Sequence, residues 1–214
     1  MTLPPDSSLF FLGLAGGIAL LPITAYRHVS PVWLKWLLII SGLWVMSRYP
    51  LLALFTPPET PRGLWMARYG SLGSLVGFTL PSVFAIDQLV RHPAMSPQRL
   101  LRWCAPWLTA CGAVILFGDV RLAADSIGRW GMGLGVGVAV VGFVGVCIIL
   151  MRKIPSPPIR TALLGLAVGS SAVGFNGLLI ALGGRSAWSF LSSEMLMLLA
   201  LWHAYETAAA LQRG

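Results

Sequence analysis

Charged residues are scarce in this sequence. Asp, Glu, Lys and Arg together make up 10% of it, against about 25% in an ordinary soluble domain. Hydrophobic residues account for 57% of the 214 positions, and the mean hydropathy is +0.80. A soluble fold of this length could not hide that much apolar surface, so the scarcity of charge points to lipid as the solvent. Lysine is rarer still, with only Lys35 and Lys153 beside 13 Arg. Both fall at the ends of apolar runs, which excludes a retinal pigment, since that chemistry needs a Schiff-base lysine within the last helix. The net charge of +8 comes from Arg residues in short gaps between apolar runs. It forms no basic stripe with interleaved aromatics, so a nucleic-acid partner is not expected.

Cysteine is scarce too. Cys104 and Cys111 stand seven positions apart on one predicted helix, roughly 10 Å along its axis, beyond the reach of a disulfide. With Cys147 they read as buried thiols. No H-x-x-x-H, H-E-x-x-H or C-x-x-C spacing occurs, so neither a metal nor a cofactor is predicted, although a lipid or pigment could be bound. The opening "MTLPPDSSLFF" has no basic n-region, so its first apolar run is expected to be kept as a membrane span.

Apolar runs of about the length a bilayer requires fill the chain at 8–26, 32–54, 66–90, 101–119, 130–151, 160–183 and 187–210. They predict an all-α polytopic bundle of seven transmembrane helices, forming a single domain over residues 1–214. Arg48 and Pro50 interrupt the second run, so six spans is the alternative. The connectors, such as "FTPPETPRG" and "RKIPSPPIR", are dense in proline, which interrupts helices. With the N-terminus outside and the C-terminus inside, cations divide nine to six in favour of the cytoplasmic side, as the positive-inside rule prefers. The preference for Arg over Lys suggests a GC-rich bacterial genome, and with it the bacterial inner membrane.

The run "GMGLGVGVAVVGFVGV" (131–146) is not a phosphate loop, because no strand precedes it. Small residues let helices approach closely in lipid. Pairs spaced by four recur as Gly13/Gly17, Gly73/Gly77, Gly131/Gly135 and Gly165/Gly169, and we read them as helix-packing or docking faces.

Ionisable residues inside a membrane are functional candidates. Glu194 and His203 are nine positions apart on the last predicted helix, which puts them on opposite faces. Glu194 shares a face with Met197, Leu201 and Tyr205, and His203 shares one with Leu196, Leu199 and Glu206. Glu194 is read either as a proton or ion site or as a carboxyl hydrogen-bonded to Ser170, Ser171 or Asn176 of the preceding helix. His203 and Glu206 form a polar pair towards the inner side. Asp87 and Arg91 make a boundary pair at i,i+4. Pro81 and Pro106 interrupt two helices.

Two short stretches carry resemblances. "WHAYE" (202–206) resembles, at Trp202, His203 and Glu206, the Trp-His-x-x-acid element near the end of subunit III of haem–copper oxidases, a seven-span subunit without a redox centre. "RHP" (91–93) is similar to the Arg-His-Pro of isoprenylcysteine-type membrane methyltransferases, whose glutamate-rich C-terminal region is absent here. Three functions follow as expectations. The first is a non-catalytic subunit of a larger membrane complex, respiratory or photosynthetic, with lipids and other membrane subunits as partners. The second is a small-solute or ion transporter using Glu194 and Asn176. The third is an enzyme working at the cytoplasmic face through His92 or His203.

Overall fold

The computed structural model describes residues 61–90, 96–117, 127–182 and 187–213, together with Val32, Trp36, Ile39, Ile40, Leu43 and Trp44. Five continuous helices occupy it: α1 (Pro61–Val90), α2 (Pro97–Phe117), α3 (Ile127–Lys153), α4 (Pro157–Ala181) and α5 (Ala187–Arg213). No strand occurs among the described residues. The run 8–26, and most of 32–54, lie outside them, although the six positions described between 32 and 44 are helical.

Each helix outgrows the apolar run that predicted it at one end or both. Proline is the reason at three starts. Pro61, Pro97 and Pro157 each stand as first residue of a helix, where a missing N–H costs nothing and the fixed φ suits the turn that follows. Proline in these connectors therefore begins helices as well as breaking them. Ser96 completes the start of α2, its Oγ accepting from the Arg99 amide at 3.3 Å and its carbonyl from the Arg99 and Leu100 amides at 3.0 Å.

In α3 seven glycines are helical. In water each would cost about 1 kcal/mol relative to alanine. The helix nonetheless runs unbroken from Ile127 to Lys153.

α4 lies between α3 and α5, while α1 packs on α2 and α5. Contacts fix the directions. Gly165 faces Ala200 and Gly169 faces Met197, and Asn176 meets Ser193, so α4 and α5 run antiparallel. Gly174 against Val140 sets α3 antiparallel to α4 across their short turn, and Gly112 beside Leu72 does the same for α1 and α2. Extending the α4–α5 register brings Tyr205 level with the first turn of α4. Phe84, Cys104, Cys147, Leu163 and Leu201, one from each helix, belong to a single buried cluster.

The outside of the bundle is apolar as well. Phe117 is 87% exposed and Phe175 61%, where an amphipathic soluble helix would be polar. α4 shows the pattern most fully: Leu164, Val168, Phe175, Leu178 and Leu182 are all exposed and fall on one face at 100° per residue. Ser171 shares that face, and its hydroxyl is satisfied by the Ala167 carbonyl at 2.8 Å. The stripe from Leu164 to Leu182 is roughly 27 Å long, close to the hydrocarbon thickness of a bilayer. Two stretches, Gln98–Phe117 and Pro157–Asn176, are long and apolar enough to cross a membrane.

The glycine contacts separate close approach from open space. A Cβ on Gly169 would lie 3.0 Å from the Met197 Cα, whereas one on Gly142 meets nothing within 4 Å among the described residues. Gly169→Ala is therefore expected to cost about 1–3 kcal/mol through overpacking. Gly142→Ala should be neutral, or stabilising by up to about 1 kcal/mol. Thermal unfolding of both variants in detergent, followed by near-UV circular dichroism, checks the contrast.

Candidate functional site

Sequence reasoning placed its polar candidates on the α4 and α5 segments, and the antiparallel register brings part of that set together. Asn176 of α4 donates from Nδ2 to Ser193 Oγ of α5 at 2.8 Å. Glu194 follows at once and is 7% exposed, with Asn176 and Ser193 equally enclosed. One turn deeper, Ser170 is buried and its hydroxyl meets the Met197 sulfur at 3.7 Å. The result is a buried polar seam between α4 and α5. Ser171 does not belong to it: it faces outwards and bonds its own helix. The partner of Asn176 is Ser193, a residue the sequence reading passed over. A lone serine next to a glutamate carries no signal of its own until the register is known.

The two faces of α5 are distinct. Glu194, Met197, Leu201 and Tyr205 are buried, while Leu196, Leu199, Trp202 and His203 are exposed and Glu206 is half-buried. His203 and Glu206 thus stand on the outer side of α5, near the level where α4 begins. The seam and this pair are separate features of the molecule.

A second tie joins α5 to α1. The Tyr205 hydroxyl donates to the Pro81 carbonyl at 2.8 Å, across 124 positions of sequence, and its ring lies 5.9 Å from that of Phe84. Pro81 has no N–H, which deprives the carbonyl one turn earlier of its usual donor. Next to it the Ser82 hydroxyl bonds the Phe78 carbonyl at 2.5 Å. Two hydroxyls therefore sit on the backbone around the proline, one of them from another helix.

A third tie closes α1 on α2. Arg99 Nη2 lies 3.7 Å from Asp87 Oδ1, and Asp87 is buried. An ionic partner of Asp87 is thus a residue across the turn; Arg91, the i,i+4 neighbour expected from sequence, lies outside the described residues. At 3.7 Å the pair is longer than a hydrogen bond, and the attraction between the opposite charges accounts for it.

Cys104 and Cys147 are buried and Cys111 half-buried, all as free thiols. Among the described residues no three His, Cys, Asp or Glu side chains come together in a metal-binding group. His28 and His92 lie outside those residues, as do Gly13 and Gly17. Gly131 and Gly135 fall within α3 and Gly77 is buried in α1. Gly73 faces Trp44, whose Cδ1 would be 2.8 Å from an added Cβ. That indole also lies 5.7 Å from the Tyr69 ring in a tilted arrangement, so Trp44 of the second apolar run is seated on α1.

No protein-family model, curated protein or solved structure matches the chain. The chemistry must be read from its own residues. As arranged, the seam can hold two helices in register, and a buried carboxyl stands at its edge.

A double-mutant cycle on Asn176→Ala and Ser193→Ala is expected to show a coupling of about 0.5–1.5 kcal/mol, the range for interhelical hydrogen bonds in membranes. Tyr205→Phe keeps the ring on Phe84, removes the bond to Pro81 and should cost a similar amount. Reversible unfolding in mixed micelles measures both.

Proposed function

We propose that this chain is a non-catalytic membrane subunit, a seven-span bundle with its N-terminus outside and its C-terminus in the cytoplasm, that works within a larger complex of the bacterial inner membrane. The observation that carries this reading is a difference between glycines. Gly73, Gly169 and Gly174 are required by contacts inside the chain, where a Cβ would come within 3.0 Å of a neighbouring atom. Gly137, Gly142 and Gly145 of α3 meet nothing within 4 Å among the described residues. They share an outward surface with Val138, Val141 and Ile149, all exposed. Lipid gains nothing from glycine, whereas a neighbouring helix gains close backbone approach. The polar groups support the same reading, since Asn176, Ser193 and Tyr205 are used in ties between helices.

Native mass spectrometry of protein extracted gently from its own membranes tests it. Stable heteromeric partners are expected, and their loss in Gly142→Leu with the thermal midpoint unchanged. A lone monomer from native membranes would overturn it.

The buried Glu194 carboxyl favours a second reading, a small-solute or ion transporter with Asn176 beside the path. In proteoliposomes that reading requires Glu194→Gln to abolish flux while leaving folding intact.

A further inference from the structure

Both helices of the α3–α4 hairpin end in cations that nothing in the hairpin neutralises. Arg152 and Lys153 close α3 and Arg160 lies in the first turn of α4, and all three side chains are exposed. No Asp or Glu occurs anywhere from Ser126 to Ser193. Arg160 is also held in place. Its Nε donates to the Ile154 carbonyl at 2.9 Å, which lays the guanidinium back across the turn towards the end of α3. That bond, made by Nε, uses one of the five donors of an exposed guanidinium. The turn itself, "IPSPP", contributes few amides, because Pro155, Pro157 and Pro158 have none and the Arg160 amide is taken by the Ser156 carbonyl. Side-chain cations are therefore what this tip offers to a ligand.

Directly beyond Arg160 on the same helix face begins the exposed stripe Leu164, Val168, Phe175, Leu178. A bilayer core of about 30 Å gives each leaflet roughly half that depth, so a cation fork above the Leu164 end of the strip matches one kind of molecule in shape and charge. We propose that the Arg152–Arg160 tip binds the phosphate of an anionic phospholipid, with Arg152, Lys153 and Arg160 as donors and the acyl chains lying along the α4 stripe. Arg and phosphate pair through parallel N–H···O bonds, and the bond to Ile154 lowers the entropy lost when Arg160 is engaged. The dipole of α3 explains a preference for cations at its end. It does not explain Arg160, which stands at the start of α4, where that field disfavours a positive charge. This site rests on the membrane reading above, because the acyl strip is meaningful only in a bilayer.

The test uses the full chain reconstituted in vesicles of equal phosphatidylcholine and phosphatidylglycerol. Alkaline carbonate washing first establishes insertion, and native mass spectrometry then counts the lipids retained on release. Wild type is expected to keep phosphatidylglycerol over phosphatidylcholine. The triple variant R152Q/K153Q/R160Q should lose that preference, and the exposed single change K153Q should weaken it roughly fivefold. R102Q, which removes an exposed cation of α2, should leave it intact, and R152K/R160K should retain most of it. The single change and the charge-conserving pair keep the comparison decisive if the triple variant folds poorly. An inserted protein with no preference, a preference unaffected by K153Q, an equal loss in R102Q, or displacement of the lipid by millimolar inorganic phosphate would each overturn the site. Extraction by carbonate would instead overturn the membrane reading on which it rests.

Discussion

The close approach of α4 to α5 at Gly169 sets much of the remaining geometry. With no side chain at 169, the Met197 backbone comes to where a Cβ would stand 3.0 Å from its Cα. That approach fixes the antiparallel register, and the register decides which polar groups can meet. It puts Asn176 on Ser193 and Ser170 against Met197. The opposite side of α4 repeats the device, with Gly174 receiving Val140 of α3 at 2.8 Å from a notional Cβ. α4 is thus clasped from both sides by glycine contacts five positions apart, and its remaining face is left to the exposed Leu, Val and Phe stripe. A larger residue at 169 would press on the Met197 backbone and one at 174 on the Val140 side chain, so in each case the neighbour would have to shift.

Side-chain hydroxyls and amides with a described bond find their partners within the protein, on the outer face of α4 as well as in the interior. Ser82 and Ser171 bond carbonyls on their own helices, while Tyr205 and Asn176 bond across to others. An unsatisfied group in hydrocarbon costs several kcal/mol, so such bonds are conditions of burial more than sources of large net stability. The proline of α1 gains from the same logic, since the Tyr205 hydroxyl on the Pro81 carbonyl turns a weak point in the helix into a point of attachment.

How much of this could be read beforehand divides along physical lines. The positions of the five continuous helices described were legible, because each covers an apolar run of about 20 residues flanked by connectors. Their ends were less so: a proline that stops one helix and a proline that starts the next look alike in sequence, and Pro97 and Pro157 were the second kind. Faces were legible from the 100° period, which separates Glu194 from His203. Partners were not. A period says which residues share a face but not which helix that face meets, so the approach of Arg99 to Asp87 across the turn is not visible in it. The glycine pairs illustrate the same limit, since spacing alone does not separate Gly169, enclosed by α5, from glycines that face outwards.

The two outward faces of the α3–α4 hairpin differ in a way that composition averages conceal. α4 presents long and aromatic side chains, Leu164, Phe175 and Leu182 among them, which suit mobile acyl chains because they cover the backbone and tolerate many conformations of their neighbour. α3 presents glycine and valine, with Gly137, Gly142 and Gly145 uncovered among the described residues. Glycine exposes backbone to whatever lies alongside, and lipid tails return no hydrogen bond and little close contact for it. A rigid neighbour returns both, because a second helix can bring its own backbone to van der Waals distance along the whole groove. On the proposed membrane reading, one hairpin therefore carries a surface suited to a fluid on α4 and a surface suited to a solid on α3, with Arg152, Lys153 and Arg160 exposed at its tip.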